Sequence, residues 1–204
     1  MLKLYIVRHG QTQWNIEKRM QGWKDSDLTP KGIEGAIALG KRLKDVDFKC
    51  IYSSSSHRTI HTAELIRGDR DISIIPDDKL REINLGNWEG QAEEELIRID
   101  GQRYKAFWEA PHLYQAESGE NFFQVRDRAD AALQKILKEN TDGNILIVSH
   151  AVFIKSLLSL FKSLPVEQLW NQPFIHGTGL SIVEVSDNSA EIILEGDMSH
   201  VEAC

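Results

Sequence analysis

Two short apolar runs, each ending abruptly on a histidine, constrain this chain more than any other feature of its 204 residues. The first, Leu2-Lys3-Leu4-Tyr5-Ile6-Val7, stops at Arg8-His9-Gly10-Gln11, and the second, Asn144-Ile145-Leu146-Ile147-Val148-Ser149, stops at His150. Bounded runs of this length, rich in branched residues, read as buried strands. Open α/β sheets carry their ligand sites outside the carboxyl ends of the strands. Two strands that both end on an imidazole therefore point to one site, assembled by folding from distant parts of the chain.

Further strand patterns lie near 48–53, 72–75, 178–185 and 190–194, and the last two read as a hairpin through Asp187-Asn188-Ser189. Helical patterns lie between them. Thr29-Pro30 is an N-cap followed by proline at the first helical position, and Ile33, Ala36, Ile37, Gly40 and Leu43 then mark one helix face. A second helix is expected from the serines at 53–56 through Ile66, a third from Ser118-Gly119-Glu120 to about Leu137, and a fourth from His150 to Phe161. Strands alternating with helices imply an α/β three-layer sandwich: a mostly parallel sheet with an antiparallel edge and helices on both faces. The expectation is a single domain over 1–204. The stretch from about 84 to 118, which carries Trp88, Tyr104, Phe107, Trp108 and Tyr114, reads as an irregular insertion over one end of the sheet.

Composition narrows the function classes. The apolar runs are too short for a membrane span, and no signal-peptide hydrophobic region follows the first residues. Two cysteines, Cys50 and Cys204, do not make a disulfide framework, so a reducing cytoplasmic setting is expected. A net charge of −7 argues against nucleic acid as a partner. It also requires that an anionic ligand be captured by local positive charge. That charge is present just past the strand ends: Arg8 and His9 after the first, Ser53-Ser54-Ser55-Ser56-His57-Arg58 after the second, and His150 at a helix start. Helix N-termini and paired guanidiniums suit phosphoryl oxygens, while a histidine and a carboxylate can supply a nucleophile and a proton donor.

These residues recur in an order that resembles the histidine phosphatase (phosphoglycerate mutase-like) superfamily. Arg8-His9-Gly10 with Thr12 and Asn15 is similar to its N-terminal motif. The likeness runs on through Gln21-Gly22, Asp27-Leu28-Thr29 with Gly32, and Ser53-Ser54 with Arg58, Thr62 and Ala63. It continues in Leu80-Arg81-Glu82 with Gly86, Trp88, Glu89 and Gly90, in Glu117-Ser118-Gly119-Glu120 with Arg126, and in Val148-Ser149-His150. The resemblance implies His9 as the nucleophile, Arg8, Arg58 and His150 as holders of the phosphoryl group, and Glu82 as the acid. It implies Asn15, Gln21, Gly22 and Ala151 as substrate contacts, and neither metal nor cofactor. Two departures stand out. Ala151-Val152 replaces the two glycines that often follow the second histidine, and His176-Gly177 stands where many members have asparagine before a small residue.

The branch of the family follows from what succeeds the acid. Cofactor-dependent phosphoglycerate mutases usually continue with His-Tyr-Gly and a longer insert, whereas Glu82 is followed by Ile83-Asn84-Leu85-Gly86. The pattern resembles the phosphatases, among them broad-specificity and α-ribazole phosphatases. The expected activity is thus metal-independent hydrolysis of small phosphomonoesters through phosphohistidine. A phosphoglycerate mutase, an α-ribazole phosphatase, a protein-phosphohistidine phosphatase and a non-catalytic phosphoryl-binding module remain as alternatives. The expected partner is a small phosphorylated metabolite, with the late apolar strands offering an edge for a homodimer. Glu89 and Glu93-Glu94-Glu95 read as alternatives to Glu82, the latter run as a solvated helix face. His57 and His61 stand at i, i+4 but lack the intervening glutamate and the third ligand of a zinc site. The rings at 104–114, with Trp14 or Trp23, read as core packing or as a cover over the substrate.

Overall fold

Alternation along the central strands builds the molecule. In the computed structural model, which describes residues 1–186 and 189–202, strand β1 (Leu2–Arg8) sends Leu4 and Ile6 to one face and Val7 to the other. A short helix α1 (Gln13–Ile16) and a longer α2 (Pro30–Arg42) follow, then β2 (Phe48–Ser54), α3 (His57–Arg67) and β3 (Ile74–Asp77). Helices α4 (Glu93–Glu109) and α5 (Phe122–Glu139) precede β4 (Gly143–Ser149), and α6 (Ala151–Phe161) leads through a long loop to β5 (Leu180–Val185), β6 (Ala190–Asp197) and α7 (Ser199–Glu202).

The strands form one sheet in the order β3-β2-β4-β1-β5-β6, parallel from β3 to β1 and antiparallel at β5 and β6. Each face is covered, as the sequence implies. Ile145 and Ile147 join Leu4, Ile6, Tyr52 and Val183 under α4, α5 and α6, while Leu146 and Val148 join Val7, Ile51 and Leu180 under α2 and α3. Each fully buried aliphatic side chain of this kind contributes roughly 1.5–3 kcal/mol. Among the described residues no helix is long and apolar enough to cross a membrane.

Several boundaries differ from expectation. Ser53 and Ser54 finish β2, so the helix after them starts at His57, with Ser56 at the cap position but making no side-chain capping bond. The helix expected from Ser118 begins at Phe122, because Asn121 and Gln124 form a reciprocal capping box there. The third strand runs Ile74–Asp77 and not 72–75, in register with Ile51–Ser54. The fifth starts at Leu180, since Thr178 has a positive φ of 62°. The stretch 84–118 is largely helical: α4 fills most of it, kinked at Asp100, whose φ/ψ of −146°/37° lie outside the helical region. The hairpin pairing of β5 with β6 is present, but Asp187 and Asn188 of its turn lie outside the described residues, as does Cys204.

The chain leaves β1 through a contact that only glycine allows. A Cβ on Gly10 would lie 2.6 Å from the Gly32 carbonyl oxygen, and one on Gly32 would lie 2.2 Å from that of Gln11. The loop after Arg8-His9 is thereby pressed onto the first turn of α2, where Thr29 caps the Gly32 N–H at 3.0 Å. Helix propensity alone makes alanine better than glycine in a helix by about 1 kcal/mol. Overpacking against backbone outweighs this, so Gly32→Ala should lower the unfolding free energy by about 1–3 kcal/mol in urea titration. A variant as stable as the parent would show that the two loops part at little cost.

Candidate active site

Register brings the two histidines together. Arg8 pairs with Ser149 across β1 and β4, and the His9 N–H donates to the Ser149 carbonyl at 2.9 Å. The His9 and His150 rings then meet edge to face, with centroids 5.2 Å apart. Both are buried, at 3% and 0% exposure. His9 Nδ1 lies 2.8 Å from the Gly10 carbonyl oxygen, which can only accept, so Nδ1 carries the proton and Nε2 the lone pair. His150 Nε2 lies 2.8 Å from Ser54 Oγ, while its Nδ1 is buried without a hydrogen-bond partner among the described residues. Burial, reinforced by Arg58 and Arg8, holds the pKa of His9 well below 6.5; burial, Arg58, His9, Arg8 and Arg128 do the same for His150. Both rings are therefore neutral at pH 7.

Two guanidiniums border this pair. Arg58 is 1% exposed and donates to the carbonyls of Gly22 and Lys24, each at 2.8 Å, and to Asp25 Oδ1 at 2.7 Å. Arg8 donates to the Ile175 carbonyl at 2.8 Å. Burial lowers the pKa of Arg8, with Glu82 opposing and Arg58 adding to the effect. In both arginines Nε is buried and without a partner among the described residues. Unpaired buried donors of this kind are costly unless an anion meets them.

Glu82 projects into the same cavity, of about 250 Å³, with Arg8, His9 and Arg58. Its Oε1 accepts from the backbone N–H groups of Ile83 (3.0 Å) and Phe153 (3.1 Å), and its Oε2 from that of Val152 (3.2 Å). This corrects the sequence reading of the helix starts as open anion sites. The first turn of α6 holds Glu82, and the first turn of α3 holds Asp25, whose carboxylate accepts from His57 N at 2.8 Å and Arg58 N at 3.3 Å. Helix N-termini favour negative charge, and here carboxylates of the chain itself occupy them.

The expected substrate contacts all line the cavity: Asn15, Gln21, Gly22 and Ala151. Two of them also brace the loop. Asn15 Oδ1 accepts from Thr12 N–H at 3.0 Å, and Gln21 Nε2 donates to Thr12 Oγ1 at 2.8 Å. The far wall is aromatic, with Trp14, Phe107, Trp108, Trp170 and Phe174. Trp108 and Trp170 stack with centroids 4.8 Å apart, while Trp88, Tyr104 and Tyr114 are buried behind them. Trp23 is not in the wall; its Nε1 donates to the Glu82 carbonyl at 2.8 Å. Glu93 departs from the solvated-face reading, since it lines the cavity and accepts from the Tyr104 hydroxyl. His176 is exposed and meets Phe174 edge to face, outside the cavity lining. The His57 and His61 rings are 5.9 Å apart, and no group of three or more His, Cys, Asp or Glu among the described residues could hold a metal.

Sequence reasoning missed two charged residues that organise this site, Asp25 and Arg128, and read a third, Glu89, only as an alternative to Glu82. Asp25 anchors Arg58. Glu89 receives the N–H groups of Trp23 (2.8 Å), Lys24 (3.2 Å) and Leu85 (3.1 Å), and so serves as a loop clamp. Arg128, not Arg126, reaches the loop that carries Glu82. Their partners are mostly backbone groups of distant loops, which leave no mark in local sequence. As a whole the arrangement offers a neutral imidazole with an exposed lone pair, beside unpaired cationic donors and a carboxylate. It can carry out nucleophilic attack on an anionic centre with proton transfer to the departing group.

Comparison with known proteins agrees with the geometry. Residues 4–197 match the histidine phosphatase superfamily (branch 1). The probable phosphoglycerate mutase GpmB of Escherichia fergusonii is 31% identical over 100% of this chain and 96% of its own length. Among solved structures, Bacillus stearothermophilus YhfR superposes with a TM-score of 0.96 at 45% identity, covering 98% of this chain and 100% of that one. The α-ribazole phosphatase of Shigella flexneri gives 0.88 at 27% identity, covering 96% of each chain.

The buried neutral rings make stability depend on pH. A histidine whose folded-state pKa is depressed takes up its proton first in the unfolded chain, near pH 6.5. The stability it contributes is full above that value and is lost as pH falls toward the folded-state pKa. His9 and His150 should each remove up to about 1.4 kcal/mol per pH unit below 6.5. Urea titrations at pH 7.5 and 5.5, in buffer free of phosphate and sulfate, should show a smaller loss for His150→Gln than for the parent. Equal losses would mean that the ring is already charged in the folded protein.

Proposed function

The chain belongs to the histidine phosphatase superfamily (branch 1), and from that premise we propose that it hydrolyses small phosphomonoesters through a phosphohistidine on His9, without a metal. One observation carries this reading. The ring of His9 is fixed with Nδ1 on a carbonyl and Nε2 bare, in a cavity also lined by two arginines whose buried Nε donors have no partner among the described residues.

The phosphoryl group of the substrate sits against Arg8, Arg58 and His150. With the Ser54 hydroxyl donating to His150 Nε2, the Nδ1–H of that ring becomes a further donor to a phosphoryl oxygen. His9 Nε2 attacks phosphorus, the P–N bond forms and the ester P–O bond breaks. The departing oxygen takes a proton from Glu82, which enters this step as the acid. Water then attacks the phosphohistidine and gives its proton to the Glu82 carboxylate; the P–N bond breaks and inorganic phosphate leaves. Negative charge that develops on the equatorial oxygens is met by the guanidiniums, the task a metal performs in other phosphatases.

The aromatic wall supports hydrolysis over phosphoryl return. A mutase must hold a polar organic product while the phosphoenzyme lasts. Here the leaving group faces Phe107, Trp108, Trp170 and Phe174. Two further cations line the cavity: Arg19, paired with Glu17 and the Gly90 carbonyl, and Lys18. Residues 84–118 supply part of this wall and act as the cover of the site. The likeness to a probable phosphoglycerate mutase at 31% identity supports the second reading, a mutase on the same pocket.

The test is phosphate release from p-nitrophenyl phosphate with excess EDTA. Activity should survive the chelator, be lost by a factor of about 10³ or more in His9→Ala, and leave an acid-labile phosphoprotein on rapid quench. Loss with EDTA would overturn the metal-free mechanism, and faster interconversion of 3- and 2-phosphoglycerate than hydrolysis would install the mutase. For the wall, Trp108→Ala should raise KM for aryl phosphates severalfold more than for ethyl phosphate, since packing one ring against another is worth about 1–3 kcal/mol. An equal change for both would place the leaving group elsewhere.

A further inference from the structure

We propose that Arg128, with Glu120, is the positioning residue that sets Glu82 for proton transfer; this rests on the role just given to Glu82. Arg128 projects from α5 and touches neither the cavity nor the histidines, yet its guanidinium is spent on one short segment. Nη1 donates to the carbonyls of Lys79 (2.9 Å) and Arg81 (2.6 Å), and Nη2 to that of Glu82 (3.0 Å). The rest of the fork grips Glu120, Nε to Oε1 at 2.9 Å and Nη2 to Oε2 at 2.8 Å. Glu120 Oε2 in turn accepts the Asn84 N–H at 2.8 Å. One ion pair thus holds the backbone on both sides of Glu82.

The same guanidinium lies 5.6 Å from the centroid of the Phe153 ring, and Phe153 N–H is a donor to the Glu82 carboxylate. Backbone and side chain of the acid are therefore referenced to a single rigid group. Both side chains of the pair are largely buried, at 16% and 18% exposure, so water competes weakly for them. A lysine keeps the charge but not the planar fork, and cannot reach these acceptors together. A displacement of about 1 Å at a reacting group can cost on the order of 10²-fold in rate.

General-acid loss has a signature that loss of fold does not. It weighs on substrates whose leaving group departs as a strong base and spares those whose anion is stable. The ratio of kcat/KM for ethyl phosphate to that for p-nitrophenyl phosphate reads it, because kcat/KM excludes the later hydrolysis of phosphohistidine. We expect Arg128→Lys to lower this ratio about 10- to 100-fold, in the direction of Glu82→Gln, with inhibition by inorganic phosphate changed far less. Near-ultraviolet circular dichroism checks the fold. Should Arg128→Lys fail to fold, Glu120→Gln, which keeps an acceptor for Asn84, is put to the same ratio. An unchanged ratio in the folded variant, with the ratio lowered in Glu82→Gln, overturns the positioning role alone. An unchanged ratio in Glu82→Gln overturns the acid assignment and this inference with it.

Discussion

The site depends on the pairing of β1 with β4. Seven consecutive partners, from Leu2↔Gly143 to Arg8↔Ser149, fix where both strands stop, and each stops one residue short of a histidine. A slip by one residue would turn every side chain of one strand to the opposite face. Leu4 and Ile6 would then leave the core under α5 and α6, so hydrophobic burial sets the distance between His9 and His150. The chain reaches β4 only after β2 and β3 have been laid on its far side, and β4 inserts between β2 and β1. The carboxyl ends of three strands are thereby gathered at one place, the usual position of a ligand site in an open α/β sheet.

The electrostatics of that place run against the rest of the molecule. The chain carries a net charge of −7, yet the guanidiniums of Arg8 and Arg58 line one cavity with the neutral ring of His9, and the buried His150 ring packs against His9. Buried ion pairs add little stability by themselves, while an unpaired buried cation is strongly unfavourable. Arg58 is accommodated by Asp25 and two carbonyls, and Arg8 by one carbonyl, with a buried Nε on each that has no partner among the described residues. Both guanidiniums line the cavity, where an anionic ligand would meet their positive charge. Screening over about 8 Å at physiological ionic strength makes the distant acidic surface largely irrelevant to that ligand.

Much of this was legible in sequence, for physical reasons particular to each element. Strands β1 and β4 are short, apolar and sharply bounded, and α2 announces its start through Thr29 and Pro30. The helix α4 was not legible: Asp100-Gly101 interrupts its pattern at the kink, and its apolar residues serve two surfaces, the core through Leu96 and Phe107 and the cavity through Trp108. Ser118-Gly119 resembles a helix start but yields to Asn121, because a capping box satisfies two donors where a lone serine satisfies one. Arg126 and Arg128 are indistinguishable by type, and only the turn of α5 decides which faces Glu82.

Glu82 and Glu89 illustrate how two carboxylates in one loop come to differ. Glu89 is clamped by three backbone N–H groups of two loop segments, and Gly22 is glycine partly because a Cβ there would lie 2.4 Å from its Oε1. Gly22 and Lys24, ordered in this way, present the carbonyls that grip Arg58. The loop following Glu82 therefore fixes the arginine across the cavity, while Arg128 holds the backbone of Glu82 itself. Glu82 also has three N–H donors, but two of them belong to α6, the helix that begins beside His150. It thus lines the cavity, whereas the Glu89 carboxylate is held by backbone groups of the loops. What separates the two carboxylates here is the origin of their donors, not residue type or distance along the chain.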